Sequence, residues 1–343
     1  MPLWLLQVMG TNPASGVALP PRWGWYVILY FFVGGLAGGL MAIAAGLDLA
    51  GDRHDQEAVR LAHRLAFPLI ILCAILLIVD LGRPDRFWHM VFMSERFPRL
   101  IFKPWSPISL GSWILTIYGA VAFVEFLGTL ADPPGENIGD SLILSSPRAT
   151  RVLHALQRRL VPVRERIRRW PSAVHSAWKI VAALSGFALA GYTGVLVAGT
   201  SNAVWHNARL MGALFLISGT STAYALLTLL LVRRGRTAAD STLRKLGDGD
   251  LWAVAFELLV LAITLIALGP LGRPFWSGGF GVVFWIGVVG LGLLVPLARH
   301  WVSLGPGERA ISRAAACVLV GGLLLRFVIV MSPQYPRVPL WHL

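Results

Sequence analysis

Asp80–Trp88 reads DLGRPDRFW and Pro270–Trp276 reads PLGRPFW, and each of these near copies closes an apolar run about twenty residues long. Outward from them the chain divides into eight such runs: Gly24–Leu47, Leu61–Leu81, Ile108–Leu130, Ala173–Val197, Leu210–Val232, Leu251–Gly269, Phe280–Leu297 and Ala314–Met331. Each is long enough to cross the hydrocarbon core as a helix. With 56% hydrophobic and only 14% charged residues, the chain lacks the polar surface that a soluble protein of 343 residues needs. The fold class read from this is an all-α integral membrane protein of eight transmembrane helices. The first run is too long, and starts too far from Met1, to read as a cleaved signal.

The two LGRP segments are parts of a larger repeat. Phe31–Gly39, FFVGGLAGG, in the first run matches Phe215–Ala223, FLISGTSTA, in the fifth, so helices 1 and 5 cross in the same sense and helices 2 and 6 return to finish at Gly82 and Gly272. A parallel duplication of four helices predicts two tandem four-helix bundles. The first spans 24–197 and the second 210–331, with a loop at 131–172 inside the first. Gly34, Gly35, Gly38 and Gly39 form two overlapping small-xxx-small pairs, which let another helix approach closely. Within LGRP, Gly ends a helix and Pro cannot extend it, so Arg83 and Arg273 either cap the last carbonyls or face an anionic surface.

Lys and Arg in short loops resist translocation. With Lys179 and Arg326 placed in helices, 19 basic residues fall on the side of loops 1–2, 3–4, 5–6 and 7–8, against nine on the other. Both termini and both LGRP segments are therefore expected outside, periplasmic if the membrane is a bacterial cytoplasmic membrane. The formal charge of +13 sits mostly at the inner face, where anionic lipid attracts it. No soluble domain presents these residues to nucleic acid. In the 131–172 loop, Val152, Leu156 and Leu160 recur at helical spacing among Arg151, Arg158 and Arg159, which describes a basic amphipathic segment lying on the inner leaflet or a loop that only fixes topology.

The ordered set WGWYVILYFFVGGLAGG, DLGRPDRFW, KPWSPISLGSW at Lys103–Trp113 and GYTGVLV at Gly191–Val197 resembles the NrfD/PsrC family of membrane subunits of polysulfide-reductase-type complexes. The resemblance implies an integral subunit without haem that binds a quinone, menaquinone or ubiquinone, near the outer face. It further implies a docked ferredoxin-like iron–sulfur subunit and a catalytic subunit, often a molybdopterin enzyme. The catalytic subunit would set the terminal substrate.

The residues themselves are compatible. Only Cys73 and Cys317 are present, so this polypeptide cannot ligate a four-cysteine cluster, and the eight histidines fall in loops or near helix ends, where a haem b would need them deep in the membrane. A quinone needs hydrogen-bonding and ionisable groups at its carbonyls. Asp80 lies about 3 Å of axial rise from its Gly82 end and Tyr192 about 8 Å from Val197, both in the outer third. The resemblance carries the quinone-side tyrosine to Tyr192 and a proton-passing carboxylate to Asp80. Set against these roles, Tyr192 also reads as an aromatic-belt residue and Asp80 as a partner of Arg83 or Arg86. At the head of helix 1 the family's polar side chains are replaced by Trp23, Trp25 and Tyr26, and His89 stands as the substitute contact.

Further ionisable groups within the apolar runs include His63, Glu125 and Glu257. They read as the start of a proton route towards Asp80, or as a structural lock in which Glu125 and His63 pair with loop arginines. Arg326 has no evident partner, and Pro68 and Pro296 are expected to kink helices 2 and 7. The outer loop Arg83–Lys103, with Arg83, Arg86, Arg96, Arg99 and Lys103, offers the largest surface for a partner. The function expected is a quinone-reactive membrane anchor of an oxidoreductase, not active alone; a secondary transporter built on parallel repeats is the alternative.

Overall fold

The computed structural model describes residues 21–93, 95, 97–130, 161–162, 165, 171–237, 239–302 and 307–335. Arg96 and nearly all of the basic 131–172 segment lie outside these residues. Among the described residues eight helices are long and apolar enough to cross a membrane, as the runs predict. They are α1 (Trp25–Ala50), α2 (Gln56–Asp80), α3 (Pro107–Leu130), α4 (Ser172–Ala198), α5 (Met211–Arg233), α6 (Ser241–Leu268), α7 (Gly278–Val282, continued through Val283–Leu294 and Val295–Val302) and α8 (Glu308–Met331). The middle of α7 is wound as a wider π-helix. Pro68 sits inside an uninterrupted α2.

In the first half α1 packs on α2 and α4, and α3 closes the ring against both; in the second half α5 packs on α6 and α8, with α7 between those two. The halves meet where α1 and α4 contact α5 and where α8 contacts α1. α1 is buried along nearly its whole length from Val27 to Ala45 because its glycines admit two neighbours, one more than the small-residue pattern suggested. A methyl group on Gly38 would overlap the backbone of α4 at Gly186, and one on Gly39 would overlap the backbone of α5 at Gly219.

The junction obeys the sequence repeat. Phe31 meets Phe215 with ring centroids 5.7 Å apart, Gly35 lies on Gly219, and Gly39 reaches Ala223. These are matched positions of FFVGGLAGG and FLISGTSTA. Residues that touch their own counterparts lie on the axis relating the two copies, so α1 and α5 face each other across an approximate twofold.

The LGRP copies diverge in backbone. Gly82 takes the left-handed φ of 69° that ends α2, whereas α6 stops three residues before Gly272, at Gly269 with φ 49°. Pro270 explains the early stop: it has no N–H to donate and disfavours helical backbone at the residue before it. The rest of that copy forms a tight turn, Gly269–Gly272, and a short helix, Arg273–Trp276.

Polar ties fasten the two halves at both faces. At one, Lys245 Nζ donates to Asp52 Oδ2 at 2.6 Å and Asp55 Oδ2 at 2.8 Å, and Arg236 donates to Glu57 and Asp240. Asp55 is buried and also accepts from Thr242 Oγ1 at 2.7 Å. At the opposite face Trp23 stacks on the buried Trp205 at 5.1 Å, Gln334 exchanges hydrogen bonds with the Trp23 backbone, and Trp205 Nε1 donates to the Ile329 carbonyl at 2.7 Å.

Candidate functional site

The polar end of α2 and the segment that follows it form the site the sequence indicates. After Gly82 turns the chain, Pro84 begins a seven-residue 3₁₀ turn, Pro84–Met90, that carries Arg86, Phe87, Trp88 and His89. The backbone then folds back on itself: Met93 N–H donates to the Arg99 carbonyl at 2.8 Å and Ile101 N–H to the Val91 carbonyl at 2.9 Å. Trp113 of α3 pins this fold by donating its indole N–H to the Ile101 carbonyl at 2.8 Å. Arg83, Arg86, Arg99 and Lys103 are exposed on it, beside Phe97 and Phe102 and beside Trp105, which is 79% exposed. A compact basic surface with aromatic side chains is thus held in place by backbone hydrogen bonds.

Asp80 is exposed at the last position of α2, and among the described residues no ion pair joins it to Arg83 or Arg86; Arg86 instead lies 3.9 Å from Asp85. Nor do the α2 carbonyls receive a hydrogen bond from Arg83 there; Leu81 N–H and Gly82 N–H serve Leu77 and Val79. His89 is half-buried with its ring against Trp88, centroids 3.8 Å apart. Tyr192 is buried, and its hydroxyl donates to the Pro107 carbonyl at 2.7 Å in a slot that only Gly111 leaves open. Its proton is therefore committed, leaving the oxygen as an acceptor. The shared depth of Asp80 and Tyr192 does not make them neighbours, because α2 and α4 stand on opposite sides of the α1–α3 diagonal.

Trp25 is turned to the second half, stacked on Phe327 of α8 at 5.2 Å. That is half a helical turn from Gly34, whose neighbours are Cys73 of α2 and Thr193 of α4. Tyr26 beside it is half exposed. Inside the first bundle Tyr30 and Tyr118 are fully buried, and Tyr118 donates its hydroxyl to the Ala37 carbonyl at 2.5 Å.

At the opposite end of the first bundle the structure brings His63 and Glu125 together, with Nε2 and Oε2 3.6 Å apart, beyond hydrogen-bond reach. The cation that holds Glu125 is not a loop arginine. Lys179 of α4 lies 3.0 and 3.1 Å from the two Glu125 oxygens and 2.9 Å from Asp48 Oδ2 of α1, and Trp178 donates to Glu125 Oε1 at 2.7 Å. One lysine thus ties three helices, and His63 brings in the fourth. Sequence reasoning missed Lys179 because length alone placed it in a helix without a partner; its spacing from the end of α4 matches the depth of Glu125 from the end of α3.

Glu257 belongs to a different cluster. It is buried in the second bundle, hydrogen-bonded to Ser218 of α5 and within electrostatic reach of Arg326. Its partners differ from those of Glu125, which are His63, Lys179 and Trp178, so the residues that read as one proton route or a lock fall into two groups. Arg326 does have partners: Nη1 donates to Ser218 Oγ at 2.6 Å and to the Gly322 carbonyl at 2.8 Å, and the guanidinium lies 5.3 Å from the Phe215 ring. No group of three or more metal-binding side chains occurs among the described residues.

Outside the membrane spans, hydrogen bonds from Lys245 and from the His54 N–H hold the Asp52 carboxyl below its ordinary 3.8. Partial burial pushes Asp240 upward, but the hydrogen bonds from Arg236 and the Thr242 N–H outweigh it and hold this carboxyl, too, below 3.8.

Comparison with known proteins shows which sequences the chain is similar to. The family model described as "Polysulphide reductase, NrfD" matches residues 15–336. Protein NrfD of Escherichia coli is 27% identical over 91% of this chain and 95% of its own length. A polysulfide reductase component of Wolinella succinogenes is 25% identical over 91% of this chain and 94% of its own. A selenate reductase component of Mesobacillus selenatarsenatis is 23% identical over 91% and 74%.

Proposed function

The chain belongs to the polysulphide reductase NrfD family, and on that premise we propose that it is the quinone-reactive membrane subunit of a multisubunit oxidoreductase. Relatives named as components of a polysulfide reductase and of a selenate reductase support a membrane-subunit role in a reductase complex. The observation that carries the reading to particular residues is the ordered basic and aromatic fold between α2 and α3, set beside a carboxylate with no ion-pair partner among the described residues. With only two cysteines, neither able to complete a cluster, the protein takes its electrons from or gives them to another subunit. Arg83, Arg86, Arg99 and Lys103, with Arg96 in the same loop, offer an acidic ferredoxin-like partner complementary charge.

The residues present fit a quinone in part. Asp80 and His89 carry polar atoms that no described protein group occupies, so His89 can donate to a carbonyl oxygen and Asp80 can hold a proton next to it. Tyr192 does not reach these groups: its hydroxyl proton is given to Pro107, so it holds the start of α3 instead of a quinone carbonyl. Among the described residues no group hydrogen-bonds the Tyr26 hydroxyl at the head of α1, whereas Trp25 supports α8. A bound quinone would supply a two-electron, two-proton couple; the protein supplies orientation through His89 and a proton-holding carboxylate at Asp80. The docking loop lies on the face that carries fewer basic residues, so the complex faces the periplasm of a bacterial cytoplasmic membrane, with both termini of this protein on that side.

A photoreactive quinone analogue added to the purified complex tests the assignment. Cross-links should fall in residues 80–92 and be lost in His89→Ala, while Asp80→Asn should slow quinol turnover far more than it weakens binding, because it keeps shape and removes proton exchange. Cross-links confined to the second bundle would overturn it.

A further inference from the structure

The second bundle is polar where the first is not. Gly38 packs on Gly186 in the first half and Thr222 packs on Gly322 in the second, which fixes the correspondence of the α1–α4 and α5–α8 contacts. One turn away on each helix, the first half has Gly34 and Ala190 and the second has Ser218 and Arg326. The same crossing is therefore built once from small side chains, and packing alone does not call for a buried arginine and its hydroxyl partner.

These groups continue into a linked series. Ser218 and Ser221 stand one turn apart on α5, both fully buried; Asp250 and Glu257 stand two turns apart on α6 and face them. Ser221 Oγ donates to Asp250 Oδ1 at 2.8 Å, and Ser218 hydrogen-bonds to Glu257 while accepting from Arg326 at 2.6 Å. Arg326 is fully buried, and its Nε has no hydrogen-bond partner among the described residues. At the other end Asp250 lines a cavity of about 240 Å³ on the axis of the second bundle, among Thr228, Arg244, Asp248 and Pro296. The cavity opens at the face of the α1–α2 and α5–α6 turns, where Arg244 and Asp248 are exposed.

We propose that the second bundle contains a proton half-channel that runs from this cavity through Asp250, Ser221 and Ser218 to Glu257 and ends against Arg326. Water in the cavity delivers a proton to the Asp250 carboxylate. Each serine hydroxyl accepts a proton on its oxygen as it passes its own onward, since a hydroxyl is donor and acceptor at once. The turn between Ser221 and Ser218, a rise of about 4.5 Å, is short enough for one hydrogen-bonded water to bridge. The Glu257 carboxylate becomes a carboxylic acid, one proton moves in and nothing is oxidised or reduced. Arg326 closes the far end, wedged between Phe32 and Phe215 at the junction of the two bundles. The charged and titratable groups facing Glu257 and Asp250 are Arg326 from α8, Tyr224 from α5, and Arg244 and Asp248 at the mouth of α6; the widened part of α7 carries none, and α1 presents Phe32 and Gly35.

The half-channel does not depend on the quinone assignment, and its test reads protons directly. The full-length protein in lipid nanodiscs is subjected to a light-triggered pH jump while the carboxylic C=O stretch is followed by time-resolved infrared spectroscopy. A band lost in Glu257→Gln reports Glu257. Asp250→Asn should delay that band by about a hundredfold, the scale on which a positioned proton-transfer group acts. Thr228→Phe, which fills the cavity and leaves the series of groups intact, should delay it as well, and Ser221→Ala replaces Asp250→Asn if the latter fails to fold. A Glu257 band with the unmutated rate in these variants, or no Glu257 band after the jump, would overturn the proposal. Quinone cross-linking on the same preparations is expected to be unchanged, so failure of the channel and failure of the quinone site register separately.

Discussion

Replacing Lys179 by Met keeps the aliphatic stem of the side chain and removes one charge from the centre of a four-helix tie. In the native structure that charge sits 2.9 Å from Asp48 and 3.0 Å from Glu125, so its loss leaves two carboxylates on diagonally placed helices with His63, the Gln56 amide and the Trp178 N–H to offset them. Breaking a buried ion pair from one side costs about 3–5 kcal/mol. Here the side chains of Lys179, Asp48 and Glu125 retain 18, 24 and 10% of their exposure, so solvent screens part of the effect. The expected loss is nearer 2–3 kcal/mol, which on the scale of roughly 2 °C per kcal/mol for a large domain lowers the midpoint by about 4–6 °C. Thermal unfolding of the purified protein in mild detergent measures it. The decisive comparison is the cycle with Glu125→Gln: if the two groups form one unit, the double variant is less destabilised than the sum of the singles by about 1–3 kcal/mol. Additivity within about 0.5 kcal/mol would refute the tie.

Tyr192→Phe deletes the hydroxyl that donates to the Pro107 carbonyl at 2.7 Å and keeps the ring in its slot against Gly111. It should cost about 1 kcal/mol of thermal stability and leave quinone cross-linking to the α2 end intact; a large loss of quinone binding at unchanged stability would return the hydroxyl to the quinone. The tie between Asp240 and Arg236 should be acid-labile. Because the folded protein holds Asp240 below its ordinary 3.8, the stability it contributes is fully present above that value and is lost as pH falls through the lower folded one. Asp240→Asn should therefore lower the melting midpoint at neutral pH and lose that effect in strong acid; an equal loss at both would show that the charge is not what matters.

Much of the fold was legible because a bilayer leaves few choices: eight apolar runs became eight helices, and the glycines of α1 did let helices approach closely. What the runs could not give was neighbourhood. Asp80 and Tyr192 have the same depth by arithmetic, but depth fixes one coordinate of three, and α2 and α4 lie across a diagonal. For Glu125 the same limit worked in reverse: depth along α3 and α4 already matched it to Lys179, yet loop arginines were favoured because a lysine inside a helix reads as isolated until its neighbours are known. The early end of α6 was visible in principle, since Pro270 stands between Gly269 and the LGRP copy; similarity of the motif hid a difference that one missing N–H enforces.

Arg326 shows most directly why sequence order alone misleads about buried charge. Measured along α8 it lies shallower than Glu257 does along α6, and from that mismatch it has no partner. The structure resolves this through Ser218, one hydroxyl that touches the arginine and the glutamate at once. A charge in the hydrocarbon region is costly even when it is solvated by carbonyls and ring faces, and the corresponding place in the first bundle is filled by Ala190 without any such cost. Two copies of one crossing thus differ by a cation and two hydroxyls, which meet acids of α6, rather than by a single tolerated substitution. A polar set assembled on three helices, with a cavity of about 240 Å³ at its Asp250 end, is what a site that exchanges protons with that face of the membrane requires.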